Sequence, residues 1–422
     1  MHDLWDSKIE SRLASLPHYL EAGGVHIGFY LDEWRNGGIA GLNERIARQL
    51  VKQGAAATIF LARPYPKRSK ADREGYLRYK RLMGSACVSL NLAAYPSRWR
   101  EAHFVESVLK RGVECLFVSL FRPQAAALEM LSRHIPVVGV AHNDHSYFYD
   151  EYLSTQSFLA AQVAPSRRIL ERCRDLAGPE RRASVRPVIN GIEIPTTADE
   201  PPSGPLKVIY CSRLDQVQKR SLDLPVIWKS FLARGGTGTL SVIGSGPTEK
   251  ALRDALAAEQ AAGSVRFFGH LEEEAVFKEM ATGDVILNLA NFEAFPQSVT
   301  EGAARGLWPV LSDIESGHPE IVELLGFGTL CPLGDKAAFT DALLSLSSDL
   351  PSLRKKRPLL RAQAERFFSL SRCAQAYHDL ALELIGAKQK GVVQPPPKPY
   401  APTLKERAIH LMRDLRYSRH SS

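Results

Sequence analysis

The sequence predicts an α/β protein built from two consecutive doubly wound parallel-sheet domains. Three observations support this fold class. The chain has 422 residues, which is enough for two domains of ordinary size. Short apolar runs alternate with stretches whose apolar residues recur every three or four positions, as in repeated strand–helix units. The alternation stops in a proline-rich segment at 195–205 and then begins again.

The first half, assigned to residues 1–195, begins with a predicted amphipathic helix over 1–22. Its first two strands flank the glycine pair Gly37-Gly38 and a helix over 39–50. Strand, glycine loop, helix and strand in this order form a βαβ unit. The predicted strands of this half cover 25–30, 56–61, 114–118, 136–141 and 162–164.

The second half, assigned to 196–370, repeats the pattern. Its helix over 222–234 follows the first strand, and Gly244-Ser-Gly-Pro247 closes the second. The predicted strands cover 207–211, 239–243, 265–268, 285–289 and 308–311. A helical pattern over 354–387 has no strand after it, and we expect its part over 371–390 to cross back to the first domain.

The last segment, 391–422, combines a proline-rich spacer with a basic amphipathic helix over 403–420. Apolar residues such as Leu404, Leu411 and Leu415 share one face of that helix, and lysines and arginines occupy the others. Two interpretations stay open. The helix lies on an anionic membrane surface, or it packs on the first domain or on another subunit.

The composition of the chain indicates which kinds of partner it binds and in which compartment it works. A net charge of +8 favours anionic partners such as nucleotide phosphates or phospholipid head groups, although a basic surface alone explains it equally well. No nucleic-acid module is visible, so nucleic acid is not an expected partner. The six cysteines lack metal-ligand spacing, which predicts no metal site and a cytoplasmic location. A signal peptide and a membrane span are not expected either, because long apolar runs are missing.

Charged side chains follow the strands of the second half, at the edge where parallel sheets bind ligands. Arg213 and Lys219 come after the first strand of this half, where a guanidinium and an ammonium can hold a diphosphate. A pair of solvated surface cations is the alternative. Glu293 and Glu301 flank a loop that opens a helix, whose free N–H groups favour phosphate.

Transfer of a sugar from a nucleotide-sugar donor needs groups of these kinds. Cations and N–H groups neutralise the charge that grows on the departing diphosphate. Carboxylates fix the hydroxyls of the sugar and the ribose. The arrangement therefore predicts a site for a nucleoside diphosphate sugar.

The order of these segments resembles the retaining glycosyltransferases of family 4, or glycosyl transferases group 1. Glu293 and Glu301 match the E-x7-E motif of that family, and the first half matches more loosely at Gly37-Gly38, at His142 and at 190–193. The matching stretches of the second half are 210–219, 242–247, 265–270, 293–301 and 309–320. The resemblance implies the GT-B architecture, in which two Rossmann-like domains face a central cleft.

The resemblance also implies roles for the matched residues. Arg213 and Lys219 would hold the diphosphate, Glu301 the ribose diol and Glu293 the hydroxyls of the donor sugar. The catalytic residues expected on this basis are Glu293, His142, Arg213 and Lys219. The expected donor-binding residues are Gly37, Gly38, Arg213, Lys219, Gly244, Phe268, Gly269, His270, Phe295, Pro296, Gln297 and Glu301. No cofactor or metal is implied, because the UDP- or GDP-sugar is a co-substrate.

Some residues depart from the family pattern or leave an assignment open. Ser212 replaces a glycine, and one extra residue before Lys219 makes Arg220 an alternative cation for the diphosphate. Ala294 and Glu193 replace the usual glycine and aspartate. His145, three residues after His142, is the competing histidine.

The expected reaction is retaining transfer of the sugar to an acceptor hydroxyl. The acceptor would be a glycan or a lipid-linked saccharide, in the synthesis of cell-surface polysaccharide or glycoconjugates. The enzyme would then work in the cytoplasm or at the inner face of the membrane. Alternatives are a GT-B-type phosphorylase, a nucleotide-sugar epimerase, or a catalytically inactive binding subunit with this fold.

Overall fold

The computed structural model describes residues 24–31, 38–62, 70–90, 97–119, 125–196 and 202–391. The predictions made for Gly37, for the helix over 1–22 and for the tail over 403–420 lie outside these residues. The described chain contains a seven-stranded and a six-stranded sheet, one in each half, and every strand pair is parallel. The predicted α/β class with two doubly wound domains is therefore confirmed.

The first sheet has the strand order β3-β2-β1-β4-β5-β6-β7. Its central strands are apolar and buried throughout, as expected where helices cover both faces. The strands are β1 (His26–Leu31), β2 (Ala56–Ala62), β3 (Cys87–Leu90), β4 (Cys115–Val118), β5 (Val137–Val140), β6 (Ala161–Ala164) and β7 (Val185–Pro187). The helices are α1 (Gly38–Lys52), α2 (Lys70–Met83), α3 (Ser97–Lys110), α4 (Ala125–His134), α5 (Ser146–Thr155) and α6 (Arg167–Ala177).

The second sheet has the order β10-β9-β8-β11-β12-β13. Its strands are β8 (Leu206–Cys211), β9 (Gly238–Ile243), β10 (Val265–Gly269), β11 (Val285–Asn288), β12 (Trp308–Asp313) and β13 (Thr329–Pro332). Its helices are α7 (Leu224–Ala233), α8 (Glu249–Ala255), α9 (Ala257–Ala261), α10 (Glu273–Ala281), α11 (Gln297–Ala303), α12 (His318–Leu325), α13 (Lys336–Ser348), α14 (Leu350–Lys355) and α15 (Arg357–Phe368). In both sheets the strand order reverses beside the first strand, between β1 and β4 and between β8 and β11. Ligands of doubly wound sheets bind at such switch points.

The C-terminal helical pattern is divided at Ser369, which has extended backbone angles and pairs with Ile192. The N–H of Ile192 donates to the carbonyl of Phe368 at 2.8 Å, and the N–H of Leu370 donates to the carbonyl of Ile192 at 2.8 Å. The following helix, α16 (Leu370–Gln389), packs into the core of the first domain, where the ring of Tyr377 lies 4.7 Å from that of Phe117. The chain thus returns to the first domain after completing the second.

Candidate active site

The loops that follow β8 and β11 carry the charged residues singled out in the second half. Lys219 Nζ donates a hydrogen bond to Glu293 Oε1, and both side chains are largely buried, with 16% and 9% of their surface exposed. Cys211, at the end of β8, interacts electrostatically with both Lys219 and Glu301. Lys219 and Glu293 therefore meet at the C-terminal edge of the sheet, beside the switch point, and Glu301 lies on the helix that follows the Glu293 loop.

Hydrogen bonds between the two loops hold Lys219 beside Glu293. The backbone N–H of Asn291 donates to the carbonyl of Gln218 at 2.7 Å, and its side-chain amide donates to the carbonyl of Val217 at 2.7 Å. Asp215 Oδ1 accepts from the backbone N–H of Gln218 at 2.8 Å. These hydrogen bonds fix the loop that carries the Lys219 ammonium group.

The two arginines near Lys219 have different environments. Arg213 is 63% exposed at its side chain and pairs with Asp215 at 2.8 Å, which leaves it accessible to a ligand. Arg220 has a left-handed backbone (φ 48°), and among the described residues no other non-glycine residue has a positive φ. Its guanidinium donates to Asp223 at 2.8 Å and to Asn291 at 3.2 Å. Arg220 is therefore engaged in shaping the Lys219 loop.

Gly244 supports the same loop from the β9 side. It has a φ of 127°, and a Cβ at this position would lie 1.9 Å from the carbonyl oxygen of Ser212. Its N–H donates to the carbonyl of Gly269 at 2.7 Å. Only glycine allows the two backbone segments to approach this closely, so the described contacts of Gly244 are structural.

Gly244→Ala is expected to lower the free energy of unfolding by about 3 kcal/mol, because the new methyl group displaces the backbone that carries Arg213. Gly178→Ala is the matched control. Gly178 has a φ of 75° but open space around its Cβ position, so about 1 kcal/mol is expected there. Denaturant unfolding of both variants measures the difference, and equal losses would contradict the steric argument.

Glu301 lies on α11, beside a cation that the sequence analysis did not identify. Arg45, on α1 of the first domain, has Nη2 3.6 Å from Glu301 Oε1. The same guanidinium donates to Gln297 Oε1 at 2.7 Å and to Glu273 Oε2 at 3.0 Å. Burial raises the pKa of Glu301 and Arg45 opposes this rise. The second domain's side of the cleft thus receives a charge from the first domain.

The first turns of α1 and α11 lie close together across the cleft. Gly38 is the first residue of α1, and its Cβ position would lie 3.5 Å from Gln297 Oε1. Pro296 precedes α11, and Gln297 is its first residue. The ring of Phe295 packs in the core of the second domain, 5.5 Å from that of Phe368. Only the backbone of Phe295 is left to contact a ligand.

The two candidate histidines of the first domain differ in their hydrogen bonds. His142 follows β5, and its Nε2 is buried without a hydrogen-bond partner among the described residues. Burial lowers its pKa to about 4, so the ring is neutral at pH 7. His145 Nδ1 caps α5 by accepting from the N–H of Tyr147 at 3.2 Å, and its ring lies 5.5 Å from that of Phe292. Of the two, His142 has the buried nitrogen that a ligand would satisfy.

Two groups of residues complete the description of the cleft. Phe268 and Gly269 end β10 and His270 follows it. Because β9 separates β10 from β8, these residues lie on the order of 10 Å from the Lys219 loop. His318, on α12, was not singled out from the sequence. Its Nδ1 donates to the carbonyl of Ser312 at 2.7 Å, and burial lowers its pKa to about 4. Glu293 influences that pKa, which places His318 near the Lys219–Glu293 pair.

The two domains also touch beyond the charged cleft. Ser166, at the start of α6, lies within hydrogen-bond distance (3.0 Å) of Ser316, and the N–H of Arg167 donates to Glu320 at 2.6 Å. Glu320 therefore joins the domains. Across the described ranges, no three side chains are grouped as metal ligands, and no helix is long and apolar enough to cross a membrane.

Parts of the chain are similar in sequence to known glycosyltransferases. Residues 205–349 match the family described as glycosyl transferases group 1. The amylovoran biosynthesis glycosyltransferase AmsK of Erwinia amylovora is 29% identical over 150 residues, which are 34% of this chain and 36% of AmsK. Glycogen synthase of Mycobacterium tuberculosis is 25% identical over 280 residues, 63% of this chain and 66% of the synthase. The alignments thus span between about a third and two thirds of these relatives.

Solved structures share the fold over most of the chain. Anabaena HepE, in complex with UDP and glucose, superposes with a TM-score of 0.66 at 15% identity, over 85% of this chain and all of HepE. The pneumococcal O-GlcNAc transferase GtfA, in complex with UDP and GlcNAc, gives a TM-score of 0.69 at 12% identity, over 86% and 99%. These comparisons identify the chain as a GT-B-fold protein similar to glycosyltransferases, with a glycosyl transferases group 1 segment in its second domain.

Proposed function

We propose that this protein transfers a sugar from a nucleoside diphosphate sugar, UDP- or GDP-linked, to an acceptor hydroxyl. The observation that carries the proposal is the charged cleft. Lys219 and Glu293 pair at the C-terminal edge of the second sheet, Glu301 lies on the helix that follows, and Arg45 approaches Glu301 from the first domain. Cations and carboxylates at this edge suit a ligand that has both a diphosphate and vicinal hydroxyls.

The Lys219–Glu293 pair suggests how the donor is received. Without a ligand, each group neutralises the other in a largely buried position. A bound donor offers both of them a new partner. The ammonium turns to the diphosphate, together with the accessible Arg213, and the carboxylate turns to the sugar hydroxyls. Glu301 accepts from the ribose diol, and neutral His142 hydrogen-bonds the sugar or the acceptor.

We assign the reaction to the retaining class and to family 4, because Glu293 and Glu301 match the E-x7-E pattern of those enzymes. In this mechanism the acceptor hydroxyl attacks the anomeric carbon on the face from which the diphosphate departs. The C–O bond to the diphosphate breaks as the new glycosidic bond forms, and the departing phosphate takes the hydroxyl proton. Lys219 and Arg213 offset the charge that develops on the leaving group.

The acceptor we propose is a glycan or a lipid-linked saccharide, used in the synthesis of a cell-surface polysaccharide or glycoconjugate. AmsK of Erwinia amylovora is named for amylovoran biosynthesis, and WcaL of Escherichia coli, 28% identical over 153 residues, for colanic acid biosynthesis. Those names support a saccharide acceptor. The enzyme would work in the cytoplasm.

A panel of nucleotides and nucleotide sugars tests the proposal. UDP or GDP should raise the melting temperature, since saturation at about 100 times Kd stabilises a protein by about 2.7 kcal/mol. The matching nucleotide sugar should then be consumed only with an acceptor saccharide present. Consumption of free phosphate would identify a phosphorylase, and conversion of the donor without acceptor an epimerase. A protein that binds no nucleotide would be a binding subunit of this fold.

The basic tail over 403–420 stays a prediction, since it lies outside the described residues. If it holds the enzyme on the inner face of the membrane, the full chain should sediment with vesicles of anionic phospholipid. A chain shortened by residues 400–422 should remain in solution. Equal sedimentation of both chains would contradict membrane contact through the tail.

A further inference from the structure

Arg45 is a buried cation of the first domain that contacts the second domain. Its side chain is 7% exposed, and it lies on α1 of the first domain. The three partners of its guanidinium all belong to the second domain: Gln297 and Glu273 accept hydrogen bonds, and Glu301 lies at ion-pair distance. Arg48, one turn further along α1, is 54% exposed and pairs with Glu44 of its own helix. The two arginines therefore differ in what they connect.

Burying a cation is costly, and an apolar contact would join two domains with less loss of hydration. Arg45 is instead directed at the donor half of the cleft. Two of its partners, Gln297 and Glu301, lie on α11, which follows the Glu293 loop. Its Nε is buried without an acceptor among the described residues. These contacts make Arg45 part of the charged cleft as well as of the domain contact.

The charges around Glu301 show what Arg45 contributes. Burial of Glu301 disfavours its ionised form, and Glu273 and Glu193 repel it further. Arg45 from α1 and Arg305, two residues after the end of α11, act in the opposite direction, Arg45 more strongly. Without Arg45, the carboxyl group would keep its proton to higher pH.

We propose that Arg45 is a positioning residue that holds the Glu301 carboxylate in place for the nucleotide, so that donor binding in the second domain depends on the placement of the first. The part that concerns the nucleotide rests on the proposed function. Arg45 acts through its contacts with Glu301 and Gln297. A shift of α1 would therefore move the side chains that bind the donor.

The test is the pH dependence of nucleotide affinity. Titration calorimetry with UDP and GDP at pH 6 and pH 8 compares the wild type with Arg45→Met, Arg45→Lys and Arg48→Met. Protonation of the nucleotide affects the Kd of all four proteins equally. The ratio of each variant's Kd to the wild-type Kd therefore reports only the effect of protonation on the protein. For Arg45→Met that ratio should be larger at pH 6 than at pH 8, because Glu301 without Arg45 keeps its proton to higher pH and then lacks the charge that accepts from the ribose.

The controls separate positioning from a merely structural role. Arg45→Lys keeps the charge and should restore most of the wild-type pH dependence, and Arg48→Met should leave it unchanged. Adding Glu301→Gln to Arg45→Met should abolish the pH effect. An Arg45→Met protein that is less stable but has a pH-independent Kd ratio would overturn the inference.

A second measurement needs no nucleotide. Melting temperatures of the wild type, Arg45→Met, Glu301→Gln and the double variant form a thermodynamic cycle. The shift in the double variant should differ from the sum of the single shifts, and strictly additive shifts would overturn the Arg45–Glu301 coupling. A wild type that binds neither UDP nor GDP would refute the proposed function, while this cycle still decides the coupling.

Discussion

Replacing Lys219 by alanine is expected to lower the rate of glycosyl transfer by about 10²–10³-fold, the usual effect of removing one group that stabilises transition-state charge. The ammonium group is positioned by a loop that Asn291 fixes through backbone hydrogen bonds. Its loss removes a cation from the departing diphosphate and leaves Glu293 buried without its partner. Initial rates with a saturating donor and acceptor measure the effect.

Two further variants make the Lys219 result specific. Lys229→Ala removes a half-exposed lysine on α7 of the same domain and should leave the rate unchanged. Lys219→Arg keeps the charge, but a planar guanidinium does not fit the largely buried position of the compact ammonium. A substantial loss of transfer rate is therefore still expected. Circular dichroism and melting temperature verify the fold. Near-normal transfer by folded Lys219→Ala would contradict the role given to Lys219.

The positions of Lys219 and Glu293 in the fold could be predicted from the sequence, because they depend only on which strand each residue follows. A residue that follows a strand of a parallel sheet lies at the C-terminal edge whatever the details of packing. Lys219 and Glu293 meet for this reason. Arg45 could not be found in the same way. Its helix has a clear apolar face that includes Leu42 and Ile46. The partners of its guanidinium, Glu273, Gln297 and Glu301, come more than 200 residues later in the chain.

The fold was likewise predictable where it depends on the local sequence and was missed where it depends on distant residues. The strands inside the two sheets were predicted, including the four-residue strands β4, β5, β6 and β11, but β3, β7 and β13 were not. They are three or four residues long, and β3 and β7 lie at the two edges of the first sheet and β13 at one edge of the second. Such strands are only partly apolar. The break at Ser369 was also missed, because the extended conformation there is fixed by pairing with Ile192 in a distant part of the chain.

Replacing Glu301 by alanine is expected to weaken UDP or GDP binding by about 10²–10⁴-fold, since two ribose hydroxyls would lose a charged acceptor worth about 1.5–3 kcal/mol for each hydrogen bond. Arg45 keeps Glu273 and Gln297 as partners, so the domain contact should survive. Glu274→Ala, on the exposed side of α10, is the matched control and should leave the Kd unchanged.

Glu301→Gln distinguishes the charge of this group from its shape. Burial raises the pKa of Glu301, so wild-type affinity should fall as the pH drops through that raised value, whereas the amide cannot titrate. The variant should bind with an intermediate Kd that lacks this dependence. It should also remain stably folded, because a neutral amide avoids the cost of burying a charge. Wild-type affinity for the nucleotide in both Glu301 variants would place the ribose elsewhere in the cleft, and Lys219 would then have to bind the diphosphate without Glu301 beside it.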